Sequence, residues 1–217
     1  MRLSVLRTSI LAAALAATVL GCDEEEDLAL PEVPGPPRDT PTRLIAAYFA
    51  QSYAGQDSAA YADMLDEAFE FVFLESDRDS AELDSSGVSW SRDSELRSAG
   101  AMFRAPRVLA VVLELTPVTD PVAVNDYLPD QPAGETWYRV ITDTDLRVTV
   151  ADPEGIDDTI FTVTNQQEFI IRPDLRSGHE GEWRLRAHRE LDALGRASSR
   201  ASGVEPSSWG SVKTLFN

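Results

Sequence analysis

Two histidines and one cysteine are the residues of this 217-residue chain best suited to nucleophilic or ligating chemistry near neutral pH. A single cysteine forms no internal disulfide, and with two histidines it builds no Cys/His zinc site. His188 has the chemistry of a general base. It follows Arg184 and Arg186 at steps of two, while Trp183, Leu185 and Ala187 alternate with them. Period-two alternation with the apolar set inward turns His188 to the outside. His179 stands between Gly178 and Glu180 in a turn and reads as exposed. Asp63, Asp66 and Glu70 cluster at a helix-to-strand junction and read as solvated acids. Asp143 with Asp145, and Asp157 with Asp158, lack the twelve-residue spacing of a calcium loop. The chain has no phosphate loop, nucleophile elbow or His-Glu-x-x-His pattern. These residues predict no catalytic set, no metal site and no cofactor. With 19 basic and 37 acidic side chains the net charge is −18, so nucleic acid is excluded as a partner.

Cysteine has a different use at the N-terminus. Arg2 and Arg7 precede an apolar run of 11 residues, 10–20, too short to cross a bilayer and built like a secretory signal. Val19-Leu20-Gly21-Cys22 then resembles the lipobox of bacterial lipoproteins, which implies acylation of Cys22 and a mature chain that starts there. Such a chain is held to a bacterial membrane through its lipid and faces the periplasm or the cell exterior. Several acyl chains make the anchorage stable, at about 0.8 kcal/mol per buried methylene. Residues 22–39, acidic and rich in proline, read as an extended, solvated tether. At about 3.1 Å per residue it reaches roughly 50 Å.

The elements that position everything else lie in a single domain, 40–217. Thr40-Pro41 is a helix start, and Leu44, Ile45, Tyr48, Phe49 and Ser52 form one helical stripe. Asp57 caps a second helix over 58–65. Phe69, Phe71 and Phe73 fall on one face of a strand, followed by a polar loop, 75–88. Ser91 caps a third helix that ends near 103, with Asp93 and Glu95 in its first turn and Leu96, Ala99, Met102 and Phe103 as its buried stripe. From there the period becomes two. Strands are predicted over 107–116, 137–150, 159–171 and 182–190, with a loop or lid over 117–135 and the last three strands sequential and antiparallel. Residues 193–208 read as a mobile tail, whereas the apolar stretch from Trp209 to Phe216 is expected to dock back on the domain.

Helices gathered ahead of a meander predict an α+β fold, with N-terminal helices packed on a curved antiparallel sheet. The run from Leu44 to Phe49, the run from Tyr61 to Leu65 leading into Phe69-Glu70-Phe71, and Trp183-Arg184-Leu185 resemble the NTF2-like superfamily, which includes polyketide-cyclase and ketosteroid-isomerase-like proteins. The resemblance spans about residues 40–190. It implies a cone whose sheet and helices enclose a pocket, with Tyr48, Phe69, Phe71, Phe73 and Trp137 as lining and Trp90 near the mouth. Members of this superfamily include enzymes with an acid or base in the cone as well as binders and dimers, and the fold alone does not decide between them. The absence of a buried acid/base pair favours a non-catalytic domain that binds a small ligand or an envelope protein. A pocket enzyme using a carboxylate or histidine and a structural envelope component are the alternatives, and the sheet face offers a surface for a homodimer.

Overall fold

The computed structural model describes residues 38–74, 89–155, 157–191, 204–206 and 208–216. The stretch read as a signal peptide, Cys22, nearly all of the stretch read as a tether, the expected loop 75–88 and most of the expected tail 193–208 lie outside the described residues. Among those described, the fold is α+β, with helices on one face of a curved, unclosed and largely antiparallel sheet.

The helical entry is α1 (Pro41–Arg43), a π-helical stretch (Leu44–Phe49) and α2 (Ala50–Ala54), which run on without a break. Thr40 caps it through its side chain with Pro41 in the first turn, as the sequence predicts. The wider π turn differs from the regular helix expected. It brings Leu44 and Phe49, five residues apart, together with Ile45 into the core. Next come α3 (Ser58–Met64), capped by Asp57, then β1 (Leu65–Val72), β2 (Ser89–Ser91) and α4 (Arg92–Arg104). The remaining strands are β3 (Val108–Pro117), β4 (Val122–Val124), β5 (Trp137–Val150), β6 (Thr159–Pro173), β7 (Trp183–Leu191) and β8 (Val204–Pro206), before α5 (Trp209–Thr214).

The sheet runs β2-β1-β7-β6-β5-β3, with β4 on β5 and β8 on β6. β5, β6 and β7 are consecutive and antiparallel, as expected. Two features were not foreseen. β1 joins β7 in parallel, which closes the early strand against the late meander. β8 adds a short parallel pairing within the region read as mobile tail.

Side chains alternate across this sheet. Phe169 and Ile171 enter the main core under the helices, while Ile170 between them joins a second cluster on the opposite face with Leu128, Trp137 and Ala187. The segment after β4 covers that second cluster. Gln131 bonds the Val124 and Glu135 carbonyls, Tyr127 reaches Glu168, and Arg186 donates to Asp130 at 2.8 Å. The predicted lid over 117–135 is therefore a strap on the outer sheet face, and Trp137 lies beneath it, bonded to Glu135.

His188 is buried, contrary to the outward orientation predicted for it. The cause is a bulge. Ile170 pairs with Ala187 but Ile171 pairs with Leu185, so β7 carries one extra residue against β6. Leu185 points inward, Arg186 and Ala187 point outward, and the parity is reset so that His188 points inward again. Simple alternation cannot anticipate an extra residue.

The domain also begins earlier than expected. Arg38, read as tether, is buried and ion-paired with Asp63 and Glu182, and its carbonyl accepts from the Trp183 amide.

Candidate functional site

The inner face of the sheet meets the helices around a densely aromatic centre. Phe49, Tyr53, Tyr61, Phe71, Phe73, Trp90, Phe169 and Trp209 are all essentially without exposure. α5 supplies Trp209, and its approach is close. A Cβ at Gly210 would overlap the Phe73 ring, so only glycine fits there. Glu190 on β7 accepts from the Trp209 and Gly210 amides at 2.6 and 3.1 Å, and Ser208 and Ser211 form a capping box. The predicted docking of the C-terminal stretch is thus an insertion into the core.

Within this centre lies a buried ion pair. Lys213 Nζ sits 2.7 and 2.8 Å from the two oxygens of Glu95, and both residues are at most 1% exposed. The Tyr61 hydroxyl donates a short hydrogen bond to the same carboxylate. The ammonium also lies 3.6 Å from the Phe71 ring centroid. Ser98 ties α4 to α5 again by donating to the Lys213 carbonyl. Burial pushes the Lys213 pKa down against the opposing pull of Glu95. Burial, together with the Glu95 charge, drives the Tyr61 and Tyr53 hydroxyls well up.

A second polar set runs alongside. His188 Nε2 donates to Gln167 Oε1 at 2.7 Å, Gln167 donates to Asn165 at 2.6 Å, and Asn165 donates to Glu190 at 3.2 Å. The chain of donors ends at the carboxylate that holds α5. The imidazole stacks on Phe169 with centroids 4.4 Å apart and meets Phe71 and Trp209 edge-on. Burial first, and the Lys213 charge second, depress its pKa well below the ordinary value. His188 is a neutral, positioned ring.

Sequence reasoning missed both ends of the ion pair. Glu95 was read as a first-turn acid and left off the buried stripe, yet it stands three, four, seven and eight residues before Ser98, Ala99, Met102 and Phe103, all buried. That spacing was visible. Lys213 is the only lysine in the chain, placed in an apolar segment, and this too was a signal.

The other expected residues are dispersed. Phe69, Phe71 and Phe73 share the inner core; Tyr48 is half-buried beneath the Arg38 guanidinium; Trp137 lies on the opposite face and Trp90 inside. Asp63 pairs with Arg38 and Arg176; burial alone would raise its pKa, but the bond from Arg176 and the Arg38 charge lower it. Asp66 is buried against Arg172. Glu70 lines an open cleft of about 620 Å³ with Glu67, Asp93, Asp130, Arg92 and Arg186. His179 is half-buried rather than free, with Nδ1 2.8 Å from Glu182. Asp174, His179 and Glu182 have donors of the kind that hold a metal, but Arg176 and Arg38 already engage the two carboxylates.

No family model and no curated protein matches the sequence. Among solved structures, a nuclear transport factor 2 (NTF2-like) superfamily protein from Salmonella enterica is similar to this chain at a TM-score of 0.43 and 9% identity, over 71% of this chain and 89% of that one. An NTF2-like protein of unknown function in nutrient uptake from Rhodospirillum rubrum gives 0.38 and 17%, over 66% and 90%.

Two predictions follow from the buried polar groups. Lys213→Met leaves the Glu95 carboxylate uncompensated and costs about 3–5 kcal/mol in urea unfolding, whereas adding Glu95→Gln recovers most of that loss. The second concerns pH. Unfolded His188 takes up a proton below about 6.5, where the folded ring stays neutral, so stability falls as pH drops below that value. The slope reaches about 1.4 kcal/mol per pH unit. His188→Phe flattens it between about pH 6.5 and 5, measured as unfolding free energy against pH.

Proposed function

We propose that this chain is a lipid-anchored bacterial envelope protein whose NTF2-like domain binds a ligand or partner and performs no catalysis. One observation carries the reading: the interior where a pocket enzyme would hold its substrate is occupied by α5. A catalytic pocket needs a void with a convergent acid or base free to exchange a proton. Here the interior carboxylates are engaged, Glu95 by Lys213 and Glu190 by the α5 amides, and His188 is neutral and tied to Gln167.

The order of helix, helix, strand and helix ahead of an antiparallel meander supports the NTF2-like assignment. The anchor is supported by the short apolar run and by Val19-Leu20-Gly21-Cys22. No helix among the described residues is long and apolar enough to cross a membrane. In this reading acyl chains on Cys22 reach the membrane, and the other partner is a small ligand or an envelope protein. The sheet face available for a homodimer is narrowed by the strap over Trp137, Ile170 and Ala187.

The test has two arms. In a bacterial host, the wild-type chain partitions into the detergent phase and Cys22→Ala moves to the aqueous phase; a variant that stays with detergent contradicts the anchor. A panel of cyclic ketones and hydroxyketones shows no turnover above buffer. Turnover that disappears in Glu95→Gln or His188→Gln would establish a pocket enzyme instead.

A further inference from the structure

The interior already holds an ammonium ion, and the chain itself supplies it. Lys213 Nζ is paired with Glu95, faces the Phe71 ring, and lies 5.4 Å from the Trp209 ring centroid. A carboxylate set among aromatic faces is an arrangement that takes up organic cations. Trp209 and Lys213 are one helical turn apart on α5, so the helix presents an indole and an ammonium side by side. Their separation is of the kind spanned by an arylethylammonium ion, in which two carbons join ring to nitrogen.

The helix does not complement the site fully. His188 Nδ1 is buried without a hydrogen-bond partner, and Tyr53 Oη and Trp209 Nε1 face each other without a well-aligned bond. They meet at one boundary, where the Trp209 ring lies 5.1 Å from both the Tyr53 and the His188 rings. Buried polar atoms are seldom left unsatisfied, and an orphaned imidazole nitrogen beside a poorly aligned indole–phenol pair marks a place where another occupant could bond better. α5 also follows the last strand of the sheet, so its departure breaks no ladder.

We propose that the interior is a binding site for an arylalkylammonium ion, held in this structure by Trp209 and Lys213 as a tethered, displaceable ligand. The proposal rests on the binding reading above and adds the site and the ligand class. A competitor sets its ammonium on Glu95 and its ring in the place of the indole. The tether keeps α5 at high effective concentration, which sets the threshold a free ligand must overcome. An uncharged analogue leaves the Glu95 carboxylate buried with the Tyr61 hydroxyl but no cation, and is rejected.

Tryptamine is the probe, titrated calorimetrically into the full chain in detergent. Trp209→Ala/Lys213→Ala, which vacates both positions, binds it at least tenfold more tightly than wild type. Tryptophol, with a hydroxyl in place of the ammonium, binds the double variant at least tenfold more weakly than tryptamine, and Glu95→Gln erases that preference. Equal affinity for the two compounds, a preference that survives Glu95→Gln, or no tryptamine binding by a folded double variant overturns the proposal. Should the double variant not fold, Lys213→Ala is melted with n-butylammonium or n-butanol; a rise with the amine alone supports the site, and equal shifts or none overturn it. Turnover and detergent partitioning are read separately, so failure here leaves the non-catalytic, anchored reading standing, and failure there does not mimic this one.

Discussion

The ion pair between Glu95 and Lys213 constrains the whole interior. Two charges removed from water are tolerated only when each is matched, and the effective penalty for a mismatch is several kcal/mol per ion. α5 therefore has one register in which it can enter: Lys213 on Glu95, Trp209 among Phe49, Tyr53 and His188, Gly210 against Phe73. An apolar residue in place of Lys213 would fill the same volume without naming a position. The pair also joins α4 to α5, so elements more than 100 residues apart in sequence share one contact.

Around that pair the sheet contributes its own alignment. The bulge on β7 sends Arg186 to the outer strap and His188 to the interior within two residues. From His188 the donors run through Gln167 and Asn165 to Glu190, whose carboxylate receives the first amides of α5. The positive end of the helix meets a carboxylate, and its side chain carries an ammonium to a second one. Both interior acids are thereby devoted to holding the C-terminal helix. The interior between sheet and helices is thus filled by the chain's own last helix.

Much of the fold was legible because it rests on local rules. The caps at Thr40 and Asp57, the phenylalanine face of β1, and the bounds of β5 follow from capping chemistry and period-two alternation. The apolar stretch from Trp209 pointed to docking. What was not legible depended on register and long-range pairing. One extra residue in β7 reversed the orientation of His188, and the parallel pairing of β1 with β7 has no local signature. Glu95 was misread because an acid in a first turn has a sufficient local explanation in the helix dipole. Its place on the buried stripe pointed the other way, and its partner lies 118 residues away.

Hydrogen exchange at the Gly210 amide tests the closed interior most directly. That N–H donates to Glu190 and is buried beneath Phe73. The account predicts strong protection in the wild-type chain, lost selectively in Lys213→Ala while the β5 and β6 amides keep theirs. Exchange of Gly210 at the rate of an exposed loop in the wild-type chain would contradict it.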